Sequence, residues 1–221
     1  MKYLKKEYPS FNLHMINTDR FKTVNLEIIF GRRIKKEEIT ITNFLSSILV
    51  YTTKKYNTKL KFGQKMEDLY ATRAFTNCYR IGNIFNVDFN LKFLNPKYSD
   101  ENIFNDALDF LKEIIFNPNI KNNEFDENSF NVVKNNEISR IMRLKEDKRG
   151  YSKLRLLELT DKDAPFSYNM KGYLEDLEKI TRKNLYDFYK KFLKSNKVDI
   201  YIVGNIDFKE TEKLITSKFS L

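Results

Sequence analysis

Apolar and polar residues alternate twice near the start of the chain. Phe11, Leu13 and Met15 alternate with Asn12 and His14, and Val24, Leu26, Ile28 and Phe30 with Asn25, Glu27 and Ile29. A period of two predicts half-buried strands. They read as a hairpin that turns at Thr18-Asp19-Arg20 and is closed by Gly31. From Ile39 to Thr53 the period becomes helical, with Phe44, Leu45, Ile48, Leu49 and Thr52 on one face. Leu60, Met66, Leu69 and Tyr70 predict a shorter second helix, with Gly63 near its start.

Alternation returns in Phe85, Val87, Phe89, Leu91 and Phe93, set against Ile84, Asn86, Asp88, Asn90 and Lys92. The segment Ala74 to Ile81 precedes it across Gly82-Asn83, a hairpin turn pair. Asp100 opens a helix bearing Ile103, Phe104, Ala107, Leu108, Leu111 and Ile115, and Asn117-Pro118 ends it. A long helix is predicted from Asp126 to Gly150, continuing through Tyr151 to Leu159 and breaking near Asp163-Ala164-Pro165. Leu185, Phe188, Tyr189 and Phe192 share a later helical face, Val198 to Val203 reads as a strand, and Phe208 to Phe219 as a closing helix. Segregated strands and helices predict an α+β fold, a mainly antiparallel sheet with helices packed on one face. No internal repeat or composition break divides the chain, so one domain over residues 1–221 is expected.

Composition narrows the function. One Cys cannot close an internal disulfide, and one His cannot furnish a site that needs two histidines. The net charge of +10 would suit phosphates, but the lysines are spread along the chain, as on a solvated surface, and nucleic acid is not the expected partner. No apolar run is long enough to span a bilayer, and the first residues lack the apolar core of a signal peptide, so a cytoplasmic protein is expected.

Three constellations could carry chemistry. Asn43 and Ser47 lie one helical turn apart with Ser46 beside them, at the spacing of a His-x-x-Glu-His zinc motif. An amide and two hydroxyls are poor zinc ligands, and neither serine is a base unaided. Glu137 interrupts the apolar stripe of Phe130, Val133, Ile141 and Leu144, where a carboxylate pairs, snorkels or ligates a metal; abundant Lys and Arg favour the first two. His14 and Cys78 are the remaining base and nucleophile candidates, each on a strand without a third partner. Phe85, Phe89 and Phe93 share a strand face, which reads as core, and no glycine-rich phosphate loop is present. The residues alone give a domain with no self-sufficient active site, and no cofactor is expected.

Several strings resemble the insulinase/pitrilysin family of zinc peptidases, which includes the processing peptidases. Ile180-Thr181-Arg182-Lys183-Asn184-Leu185-Tyr186-Asp187-Phe188 followed by Asp199-Ile200-Tyr201-Ile202-Val203-Gly204-Asn205-Ile206-Asp207 is similar to the family's helix and following strand. Thr53-Lys54-Lys55-Tyr56 resembles the string just after its zinc motif, and that alignment places His-x-x-Glu-His on Asn43-Phe44-Leu45-Ser46-Ser47. The third ligand falls near Arg140 or Ile141, one turn beyond Glu137. The resemblance thus implies the fold while both histidines and the base are replaced.

His14 to Thr23, Glu67 to Ala71 and Glu146 to Glu158 resemble more closely the inactive bacterial YmfF-like subfamily, which is associated with elongation factor P modification and found beside a zinc-binding paralogue. Coverage runs from Phe11 to Asp207 and corresponds to the first half of a two-domain unit. The resemblance implies a non-catalytic subunit that forms a heterodimer with a zinc-bearing homologue. It also implies that Ala74, Phe75, Thr76, Asn77, Cys78 and Tyr79 form an edge that holds peptide or protein substrate by strand addition, the alternative being that they only complete the sheet. The alternatives are a metallopeptidase with unorthodox ligands, resting on Glu137, and a basic nucleic-acid- or ribosome-associated module, resting on charge.

Overall fold

A computed structural model describes residues 1–99, 103–194 and 196–219. Three strands open the chain: β1 (Lys2–Glu7), β2 (Asn12–Asn17) and β3 (Thr23–Arg33). Two helices follow, α1 (Lys36–Leu49) and α2 (Lys59–Asp68), then the hairpin β4 (Arg73–Ile81) and β5 (Ile84–Leu94). After α3 (Ile103–Phe116) come the short strands β6 (Ile120–Lys121) and β7 (Glu124–Phe125), and then α4 (Glu127–Met142), α5 (Lys148–Thr160) and α6 (Leu174–Glu178). Helix α7 (Arg182–Lys194), strand β8 (Lys197–Gly204) and helix α8 (Phe208–Phe219) complete the order.

The main sheet has six strands in the order β1-β2-β8-β3-β5-β4. It is mainly antiparallel, as the pattern predicted, with β2 and β8 as its parallel pair. One prediction fails here. Strands β2 and β3 do not form a hairpin, because β8 inserts between them and pairs with both. Alternation assigns each strand a face but not a neighbour, and the inserted strand arrives some 180 residues later in the chain, at a separation no local pattern reveals. Gly31 does not close its strand either, since β3 runs on to Arg33 in register with β5.

Leu13 and Met15, Leu26 and Ile28, Val87 and Phe89, and Ile200 and Ile202 all point to one face and are buried. The helices cover that face in a phenylalanine-rich core. Helix α3 buries eight residues, and α7 brings Phe192 within 5.0 Å of Phe30, which meets Phe89 edge-on at 5.8 Å. Asn122 and Asn123 both take positive φ in the two-residue turn between β6 and β7, a conformation that asparagine tolerates.

The helix bounds shift. Helix α1 starts at Lys36, with Glu37 and Glu38 complementing its amino-terminal dipole, and stops at Leu49 rather than Thr53. Helix α2 ends at Asp68, and Leu60 on it faces solvent. The expected helix from Asp126 to Gly150 is broken: α4 stops at Met142, a 3-10 turn spans Arg143–Lys145, and Asp147 caps α5 by accepting a hydrogen bond from the Gly150 amide at 3.0 Å. The expected helix start at Asp100 lies outside the described residues. Among the described residues, no helix is long and apolar enough to cross a membrane.

Candidate functional site

The positions aligned with the zinc motif face α4 and β4. Asn43 and Ser46 are buried in α1, and Ser47 is half-buried. Ser47 Oγ donates a 2.7 Å hydrogen bond to Glu137 Oε1. Arg140, one turn on from Glu137, donates from Nε to Glu137 Oε2 at 3.0 Å, makes a second contact to the same oxygen, and donates to the Lys171 carbonyl at 3.1 Å. Glu137 is 4% exposed, so its carboxylate has left water, and a hydroxyl and a guanidinium satisfy it instead. Of the two fates expected for this residue, pairing is the one observed.

The other two positions are tied back to backbone and sulfur. Asn43 Nδ2 donates to the Ile39 carbonyl at 2.9 Å and to the Met170 carbonyl at 3.0 Å. Ser46 Oγ donates to the Asn43 carbonyl at 2.9 Å and lies 3.3 Å from Cys78 Sγ on β4. Asn43, Ser46, Ser47, Cys78, Glu137 and Arg140 are therefore brought together. Ile141 is not: it joins the core and lines a hollow of about 360 Å³ with Tyr151, Leu154 and Tyr173.

A metal would find little here. Among the described residues, no group of three or more His, Cys, Asp and Glu converges. An Asn amide and a Ser hydroxyl are weak zinc donors, and Glu137 already has the Arg140 cation. The sequence reading missed the loop from Asn169 to Tyr173, which closes the site. Gly172 has φ +93, and a Cβ there would come within 3.1 Å of the Thr40 backbone, so only glycine lets this loop lie on α1. Asn169 braces it by accepting from the Lys171 amide at 3.0 Å and donating to the Gly172 carbonyl at 2.8 Å. The spacing of Asn169 and Gly172 was the available signal.

His14 and Cys78 do not meet. They point to opposite faces, on strands four positions apart in the sheet, or roughly 19 Å at about 4.8 Å per strand. Burial pushes the Cys78 thiol up to about 12, against a smaller opposing effect of its bond to Ser46, so it is not a thiolate at neutral pH. His14 instead stacks on Tyr201 with ring centroids 4.2 Å apart, takes Tyr3 Oη at 2.8 Å on Nδ1, and has Asp199 3.3 Å from Nε2.

Ala74 to Tyr79 lie on β4, the last strand of the sheet, which pairs with β5 alone. Ala74, Thr76 and Cys78 turn toward the helices; Phe75, Asn77 and Tyr79 turn away. The two sheet edges differ. β1 carries Lys2, Lys5, Lys6 and Glu7, the charges that discourage strand pairing, whereas β4 is uncharged from Ala74 to Tyr79.

Comparison with known proteins agrees with this geometry. The family model described as peptidase M16 inactive domain matches residues 179–221. The chain is 26% identical over 218 residues to the probable inactive metalloprotease YmfF of Bacillus subtilis (strain 168), covering 98% of this chain and 51% of that protein. Among solved structures it resembles a conserved protein from Enterococcus faecalis V583, with TM-score 0.93 and 28% identity over 98% of this chain and 52% of that one. It also shares the fold of the periplasmic protease PqqL from Escherichia coli, with TM-score 0.78 and 14% identity over 99% of this chain and 24% of that one. The chain spans about half the length of the first two relatives.

Proposed function

We propose, from the premise that this chain is peptidase M16-like in sequence and fold and lacks the zinc motif, that it is a non-catalytic peptidase-like subunit or part of one. It pairs with a zinc-bearing homologue and helps to hold an extended peptide or protein substrate. The observation that carries the reading is the uncharged stretch of β4 from Ala74 to Tyr79, which runs past the degenerate motif and bonds to it through Cys78 and Ser46. A peptide added to that edge would gain main-chain hydrogen bonds from β4, with Phe75, Asn77 and Tyr79 offered on one side of the strand. Ser47, Glu137 and Arg140 keep the helices beside the strand in place without performing chemistry.

The resemblance to the YmfF-like subfamily supports the rest of the proposal: a cytoplasmic setting, a link to elongation factor P modification, and residues 1–221 as one domain of a longer unit. The test is co-expression of the full-length protein with a homologue that has an intact His-x-x-Glu-His. Co-purification is expected, together with peptide cleavage by the pair that is lost when Thr76→Pro removes an amide that points away from β5, the Asn77 amide being already bonded to Asp88. No complex, or cleavage indifferent to Thr76→Pro, would remove the reading.

A further inference from the structure

Two guanidinium groups stand on the helix side of β4, beside the degenerate motif. Arg80 continues the alternation of Ala74, Thr76 and Cys78 toward the helices and donates from Nη1 to the Pro165 carbonyl. Among the described residues its Nε and Nη2 have no partner, and it forms no ion pair. Arg140 reaches the same place from α4. Its Nε and Nη2 hold Glu137 Oε2, and Nη2 also holds the Lys171 carbonyl, which leaves Nη1 without a partner among the described residues. The Arg140 side chain is 36% exposed, and its charge is felt at Cys78, where it works against the larger upward push of burial. The acids nearby are committed or misplaced. Glu137 is already shared by Ser47 and Arg140. Asp161 Oδ1 accepts from the amides of Asp163 and Ala164 at 3.0 and 3.2 Å, and Asp88 lies on the opposite face of the sheet.

We infer that Arg80 and Arg140 form a carboxylate-binding pair beside β4, which takes an Asp or Glu side chain, or a terminal carboxylate, from an extended peptide. The inference rests on the reading of β4 as a peptide edge and adds the chemistry that the peptide must carry. A strand added to β4 alternates its side chains between the two faces, so every second one lies on the helix side, beside Thr76, Cys78 or Arg80. A carboxylate beside Cys78 meets the free Nη1 of Arg140, and one placed two residues further along, about 7 Å away, meets Arg80. Arg80 keeps Nε and Nη2, the side of the guanidinium that grips both oxygens of a carboxylate. An amide in the same position supplies no charge to either group, and a Lys is repelled by both.

The test titrates fluorescent β-forming peptides against the full-length protein. The peptides have blocked ends and are identical except for one central Asp, Glu, Asn, Gln or Lys; a further peptide carries its one carboxylate at a free C-terminus. The Asp or Glu peptide is expected to bind about tenfold more tightly than its amide counterpart. That preference should vanish in Arg80→Gln and in Glu137→Gln/Arg140→Gln, which replaces the buried ion pair by neutral amides. Arg80→Gln decides alone if the double variant fails to fold. Tighter binding of the free C-terminus than of the central Asp would make the chain end the source of the carboxylate, and the reverse would make it a side chain; either supports the site. Equal binding of Asp and Asn peptides, or an acidic preference that survives in both variants, overturns the inference. Thr76→Pro separates it from the reading beneath it: equal binding of Asp and Asn peptides that Thr76→Pro still abolishes removes the arginine pair and keeps the edge, whereas failure of every peptide to bind the unaltered protein removes both.

Discussion

Ser47 on α1 donates a 2.7 Å hydrogen bond to Glu137 on α4, and the same carboxylate takes the Arg140 guanidinium on its other oxygen. A buried carboxylate is thus held by a neutral donor and an internal cation, and these side chains tie α1 to α4.

That arrangement predicts an asymmetric response to mutation. Arg140→Ala removes the cation and leaves Glu137 buried and charged, at a cost of about 2–3 kcal/mol; the partial exposure of Arg140 keeps it near the low end for broken buried pairs. Adding Glu137→Gln to Arg140→Ala should recover part of the loss, since a neutral amide costs less to bury. Denaturant unfolding of the single and double variants measures both, and a double variant less stable than Arg140→Ala would contradict the account.

Metal removal should do nothing. The wild-type chain, freed of any affinity tag, is expected to carry less than roughly 0.1 zinc per mole by elemental mass spectrometry, and its melting temperature should not move on chelation. Stoichiometric zinc would mean that Glu137 leaves Arg140 to ligate it.

Much of this was legible in the chain. The alternation of Phe85 to Phe93 and the helical spacing of Phe44 to Leu49 named strands and helices correctly, because their apolar residues fall on one face each, that of the shared core. Strand β1 was invisible, since five of its six residues are exposed and Lys-Tyr-Leu-Lys-Lys-Glu carries no alternation. The break between α4 and α5 had a signal in Asp147, a good cap, but apolar residues on both sides suggested continuity. At the site, Glu137 stood out as a charge on an apolar stripe. Its contact with Ser47 could not be read, because it joins residues 90 apart whose proximity only tertiary packing creates.

Glu27 makes the stability depend on pH. Its folded value, pushed up to about 7 from 4.5 by burial and then by Asp88, means the folded state binds a proton more tightly than the unfolded one. Stability therefore falls as pH rises from about 4.5 to about 7, and the loss is complete above that. At 1.36 kcal/mol per tenfold change the full penalty would be roughly 3 kcal/mol. Glu27 is only partly buried, and solvent screening reduces this to about 1 kcal/mol. Glu27→Gln should be the more stable protein at about pH 8 and lose its advantage at about pH 4.5; unfolding curves at both values decide it.

Cys78 should be silent in the native protein. It lies partly buried between β4 and α1, 3.3 Å from Ser46 Oγ, and its thiol is pushed by burial to about 12. An aromatic disulfide reagent at about pH 8 is expected to label it completely in denaturant and to leave it unlabelled for hours in buffer. Rapid labelling of the folded chain would mean that β4 opens away from α1.

The turn into β4 stores strain that a single substitution can release. Tyr70 and Ala71 take φ of 57° and 56°, two consecutive left-handed residues, and neither is glycine. Each such residue costs about 1 kcal/mol relative to glycine in the same conformation. They persist because Thr72 fixes the turn, its amide donating to the Met66 carbonyl at 2.9 Å and its hydroxyl to the Leu69 carbonyl at 2.6 Å. Ala71 is exposed, so Ala71→Gly removes no packing. The relief outweighs the added freedom of the unfolded chain, for a net gain of about 0.5 kcal/mol. Thr72→Val, which deletes the hydroxyl while keeping the shape, should cost about 1 kcal/mol and increase amide exchange along β4, because the strain is then no longer opposed. If Ala71→Gly lowers the melting temperature, the left-handed turn is not where the strain lies.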